Sequence, residues 1–188
     1  MANTVEYGLS EVVLFPIESE VDRKLTYGKA VPFINAVSLT LTAEESESKT
    51  YADDKIAHQS YEIQGFSGDI EFLRVPDEIM EQIFGIEKKD GLHIMKTDQK
   101  AKKFAMTYRV KGDEKNRKFQ VFYASMSRPA MAETKTVSEN KDNNTVKMKI
   151  TAAPVPSGTE VYCWADEGTT EYKKMATEVL LPAETPQA

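Results

Sequence analysis

Apolar and polar residues alternate strictly in several short runs along the chain, and these runs predict its strands. In VSLTLT, Val37, Leu39 and Leu41 fall on one face, with Ser38, Thr40 and Thr42 on the other. In GFSGDIEF, Phe66, Gly68, Ile70 and Phe72 oppose Ser67, Asp69 and Glu71. Between these runs lies a polar, acidic stretch. Within it, residues 43–60 have no buried face and are expected to form a long projecting loop. The clearest hairpin joins Phe104–Val110 to Phe119–Tyr123. Phe104, Met106, Tyr108 and Val110 share one face, as do Phe119, Val121 and Tyr123, and KGDEKNRK supplies turn residues between them. Val12–Phe15, closed by Pro16, and the run Val146, Met148 and Ile150 predict further strands. VYCWA predicts one more, with Trp164 in the core.

Two helices break this pattern. VPDEIMEQIFG opens with Pro76, carries Asp77 and Glu78 at the positive end of the helix dipole and closes on Gly85. Its pairs Ile79 with Ile83 and Met80 with Phe84 suit packing on a sheet. EYKKMATEVLL places Tyr172, Met175, Ala176, Val179 and Leu180 on one helical stripe, stopped by Pro182. The expectation is a single domain over 1–188, mainly β (α+β), a sandwich or barrel with one short flanking helix and one C-terminal helix. Residues 1–11, poor in apolar groups, are expected to be an N-terminal arm, and 182–188 a C-terminal tail.

Charge and composition narrow the function. A net charge of −6 over 188 residues argues against nonspecific binding to nucleic acid or anionic membrane. The start of the chain lacks the pattern of a signal peptide, and no apolar run is long enough to cross a membrane as a helix. The single cysteine, Cys163, excludes an intrachain disulfide and fits a reducing site of folding. His58 and His93, the two histidines, have no metal-ligating or relay spacing. Asp53 and Asp54 are adjacent and point apart on a strand. Asp69 and Glu71 stand about 7 Å apart on one strand face, a separation that glycosidases use, but nothing marks a cleft beside them. No catalytic residue, metal site or cofactor is expected.

The same motifs, in order, resemble a known family. VEYGLSEV, YADD, GFSGDIEF leading into VPD and its helix, the FAMTYRVKGDEKNRKFQVFYASMSRP hairpin, TAAPVP and EYKKMATEVLLP span nearly the whole chain. Together they resemble the major tail proteins of long, non-contractile tails of phages infecting Gram-positive bacteria. That resemblance implies a tail-tube sandwich or barrel that forms stacked hexameric rings around a channel for DNA. It also implies partners at the tail tip, the tail terminator and the tape measure, and a place in the virion after assembly in the host cytoplasm. Alternatives are the ring protein of a related bacterial secretion tube, or a small sandwich module binding carbohydrate or protein.

Residues 40–80 carry ten acidic and three basic side chains, a local charge of −7, whereas 86–118 carry eleven basic and five acidic, or +6. Either these are two ordinary solvated faces, or they meet head to tail across neighbouring subunits. On the second reading the intersubunit candidates are Glu44, Glu45, Glu47, Tyr51, Asp53 and Asp54, facing Lys100, Lys102 and Lys103. The run KAKK at 100–103 lacks the interleaved aromatics of a nucleic-acid site. In a tube, Asp69 and Glu71 would face the lumen and repel phosphates. An extended loop at 43–60 would reach the adjacent ring, with Tyr51 as its anchor.

Overall fold

A computed structural model describes residues 5–52, 55–131 and 145–182. In chain order it contains β1 (Glu6–Val21), β2 (Lys24–Tyr27), β3 (Val31–Pro32), β4 (Ala36–Ala52) and β5 (Lys55–Phe72). These are followed by α1 (Asp77–Gln82), β6 (Glu87–Lys89), β7 (Leu92–Ile94), β8 (Phe104–Gly112) and β9 (Arg117–Met126). The last elements are β10 (Val146–Ala152), β11 (Tyr162–Asp166) and α2 (Thr170–Lys174). The mainly β expectation holds. One antiparallel sheet runs in the order β2-β1-β8-β9-β10-β5-β4, with β3 beside β1 and β11 beside β9. The large sheet is therefore one curled sheet and not two packed face to face; β6 and β7 pair separately as a two-stranded ribbon. β1 and β4, far apart in that order, approach each other, so the curl is a barrel left open along one seam.

The concave side holds the core. Ile70 and Phe72 from β5, Met148 and Ile150 from β10, and Met106 from β8 are buried there. α1 plugs one end of the curl with Ile79, Ile83 and Phe84, and Phe33 stacks on Phe72 with ring centroids 3.5 Å apart. Asp77 and Glu78 open this helix, and Gly85 leaves it at φ 71°, a left-handed turn that disfavours a side chain. Gly68 is required for a different reason. A Cβ there would lie 1.9 Å from the carbonyl oxygen of Thr40 on the neighbouring strand.

Part of the convex side is buried as well, which alternation alone does not show. Phe15, Ala105, Thr107, Lys118, Gln120 and Phe122 are all buried, and Tyr172 and Met175 of the C-terminal segment are buried too. Gln120 holds the segment that follows the second helix. Its amide nitrogen donates to Thr107 Oγ1 at 2.8 Å and to the Glu178 carbonyl at 2.9 Å. Its oxygen accepts from the Leu180 N–H at 2.7 Å. These bonds tie Glu178 and Leu180 to the sheet; α2 ends at Lys174, gives way to turns through Thr177, and does not run on to Leu181 as its apolar stripe suggests. Thr169 caps its start through a bond from the Tyr172 N–H, 3.2 Å.

Four other expectations are corrected. Residues 6–11 are no loose arm but the first part of β1, paired with β8 from Glu6↔Gly112 onward. Pro16 does not end that strand; it pairs with Phe104, and β1 continues to Val21. A bulge at Val37 sets Ala36 opposite Phe72 and Leu39 opposite Ile70, leaving Val37 exposed. A second bulge, in β9, puts Ala124 and Met126 on the concave face in place of Tyr123.

Candidate functional site

The sequence-predicted loop at 43–60 is instead a paired hairpin. β4 and β5 stay in register from Ala36↔Phe72 to Ala52↔Lys55, with small shifts at Glu44/Glu45 and Thr50/Tyr51. β10 covers β5 only from Phe66 to Phe72, so beyond Ala43 the two strands pair with each other alone. They form an arm about 30 Å long that leaves the sheet. The missing apolar face that suggested a loop is the reason this hairpin has no third strand or cover.

Cross-strand polar contacts hold the arm. Glu47 accepts from Tyr61 Oη at 2.9 Å, accepts from the Gln59 amide, and pairs with Lys49 at 2.8 Å. Lys49 first, then Tyr61, keep the Glu47 carboxyl below the ordinary range. Tyr61 and Ile63 nonetheless remain largely exposed. Glu44 and Glu45 are exposed and make no ion pair among the described residues. Tyr51 stands opposite Ile56 in register. Asp53 and Asp54 lie outside the described residues.

The proposed basic partners sit toward the other end of the sheet. Register places Phe72 and Val146 away from the arm, and the backbone N–H of Lys102 donates to the carbonyl of Ile83 at the α1 end, 2.7 Å. Lys100 and Lys102 are exposed there. Lys103 is already engaged: its ammonium lies 4.4 Å from the Tyr123 ring centre and bonds the Tyr123 hydroxyl, which donates to Glu20 at 3.2 Å. Among the described residues no lysine or arginine of 86–118 is paired with an acid of 40–80. The two charged regions are therefore not neutralised by ion pairs with one another, and each is spread along the subunit: Asp77 and Glu78 stand on α1, and Lys111, Arg117 and Lys118 on the far parts of β8 and β9.

Asp69 and Glu71 point from the convex face of β5, but not as bare acids. Lys149 and Lys147 stand opposite them on β10, and Lys147 reaches Asp69 at 3.1 Å. Glu71 accepts from Thr145 and, at 3.1 Å, from Ser38; these two bonds hold its carboxyl below the usual range. The row is charge-balanced, which corrects the expectation of a purely repulsive acidic strip.

No family model matches the chain, and no curated protein matches it.

Function therefore has to be read from surfaces, and one of them was missed. Trp164, expected in the core, is 56% exposed. It stands opposite Phe119, and Tyr162 opposite Val121, on the concave face at the arm end. There the barrel has no plug, and Phe66, Tyr108, Phe119, Tyr162 and Trp164 form a chain of rings with neighbouring centroids 5.4–6.5 Å apart. A shallow hollow of about 160 Å³ opens between Leu41, Phe66, Tyr108 and Tyr162. Burial, and then nearby Tyr162, push the Tyr108 phenol up to about 12. Alternation placed these residues on the core face correctly, but it carries no information on where the core stops.

The described residues hold no group of three or more His, Cys, Asp and Glu side chains placed to bind a metal ion. No helix among them is long and apolar enough to cross a membrane.

Proposed function

We propose that this chain is a structural tail-tube subunit of a long, non-contractile phage tail, which self-assembles into stacked hexameric rings through which DNA passes. The observation that carries the reading is the two-stranded arm. Eight or more residue pairs extend from Glu44↔Gly65 without a covering layer, and they display Tyr61 and Ile63 to solvent. Such an edge is a liability for an isolated protein and an asset for one that joins copies of itself. The charge-balanced convex row of Ser38, Thr40, Asp69, Glu71, Lys147 and Lys149 suits a lumen wall that neither grips phosphate nor strongly repels it. Tail tip, terminator and tape-measure proteins would be the partners in the virion. A ring of a related secretion tube would use the same surfaces.

Light scattering over a range of concentration and salt tests this. Growth well beyond the 21.1 kDa subunit, weakened by salt, is expected. A strict monomer under every condition would sink the proposal. The exposed Trp164 and Tyr162 favour a second reading, a carbohydrate- or protein-binding module, and that reading requires the monomer.

A further inference from the structure

The open seam between β1 and β4 holds a groove of about 540 Å³, within the roughly 300–1,000 Å³ of small-molecule sites. Its walls are mostly apolar: Leu9 and Val12 of β1, Phe33 and Ile34 of the β3–β4 link, Ala36 of β4, and Ala176 just beyond α2. Among the described residues, the charged members of the wall are Glu11 and Lys118 alone. The Lys118 side chain is only 8% exposed, and its ammonium lies 4.6 Å from the centre of the Tyr172 ring.

Two buried or half-buried cations share one carboxylate here. Glu11 sits in the β1 bulge between Ser10 and Val13 at φ 51°, a left-handed conformation unfavourable for a residue with a side chain. Its carboxylate reaches Arg109 Nη1 at 2.6 Å and Lys118 Nζ at 3.3 Å. Arg109, whose Nε also donates to Ser10 Oγ at 3.0 Å, takes the shorter contact and neutralises the acid. Glu167, the other acid near Tyr172, is bonded to the Asn116 amide at 2.7 Å. Lys118 is left with three N–H donors, one long contact to a carboxylate already matched, and the face of a ring. A buried charge so incompletely paired is costly, and the groove beside it has room for the missing partner.

We infer that the seam groove binds a small organic monocarboxylate, with its carboxylate on Lys118 and its apolar body along Leu9, Ile34 and Ala36. A dianion fits less well, because Glu11 stands 3.3 Å from the same ammonium and repels a second negative charge. Lys118 also presents a point charge, not the fork that suits phosphate. The groove lies within one subunit, so binding does not depend on what the subunit assembles into.

Equilibrium dialysis of the dilute protein against radiolabelled octanoate tests this. Saturable binding is expected, with octanol and octyl phosphate each competing at least about tenfold less well. Lys118→Met keeps an apolar stem under Tyr172 and should weaken binding about tenfold or more. Should that variant fail to fold, Ala176→Phe carries the test: it narrows the groove, leaves Glu11, Arg109 and Lys118 in place, and should also abolish binding. Glu11→Gln should tighten binding several-fold, because octanoate then supplies the carboxylate that both cations lack. No saturable octanoate binding by the wild type would overturn the inference and leave the three charges as an internal ion cluster. Competition by octanol as strong as by octanoate itself would overturn it too, since the groove would then ignore the ammonium. Tighter binding of octyl phosphate would overturn the choice of a monoanion.

Discussion

The β8–β9 hairpin and the β4–β5 hairpin are the same motif with opposite fates. β8–β9 is buried on both sides, with Met106 and Val121 inward and Thr107 and Gln120 under the C-terminal segment. β4–β5 begins in the core at Ile70 and Phe72, then runs out past Phe66 into an arm that nothing covers. Both satisfy their backbone bonds in register, so hydrogen bonding does not distinguish them. What differs is where the apolar alternation stops. In β8–β9 it persists until the turn, whereas in β4–β5 it gives way at Ala43 to serines, glutamates and lysine. A hairpin can thus be specified without a core, and what it then offers is surface.

Substitutions should separate the two sharply. Val121→Asp puts a charge at a buried position of the concave face, beneath the aromatic hollow, and should cost about 4 kcal/mol or more, enough to unfold a marginal domain. Thermal melting checks this, and a melt within a few degrees of wild type would show that the concave face is not the core. Gln120→Leu should cost about 2–3 kcal/mol, because it leaves the Glu178 carbonyl and the Leu180 N–H without partners. Proteolysis should then release the C-terminal segment first; uniform cleavage would contradict the clamp.

Replacing residues 45–63 by a two-residue turn should change stability by less than about 1 kcal/mol while abolishing growth in light scattering. Unfolding of that variant would mean the arm belongs to the subunit's own stability. The smallest effect concerns Cys163, half-buried on the convex side of β11. Burial pushes its thiol up to about 11, so near neutral pH it should react with a thiol reagent about a hundredfold more slowly folded than in urea. The linkage sign follows: folding favours the thiol, and that contribution is lost as pH rises from the ordinary thiol range through about 11. Equal rates folded and unfolded would contradict it.

Alternation was legible wherever one face met the core. It marked Ile70 and Phe72, Met106 and Val121, and Met148 and Ile150, and the capping pattern around Asp77 and Gly85 marked α1. Three things were not legible, each for a physical reason. Bulges at Val37 and in β9 shift the period by one residue without leaving a glycine or proline as a sign. The non-helical path of Glu178–Leu180 is tied to Gln120, some sixty positions earlier, so local helical periodicity could not foresee it. Trp164 lies on a core-facing position beyond the last layer that closes the core, and periodicity records the face but not the depth. Of the site candidates, Glu44, Glu45, Lys100 and Lys102 are exposed as expected, whereas Lys103, Asp69 and Glu71 are engaged within the subunit.

Negative-stain microscopy of the concentrated wild-type protein tests the account most directly. Sixfold rings around an open channel, stacked in one direction into tubes, are the expected image. A field of uniform, single particles of subunit size at every concentration would contradict it.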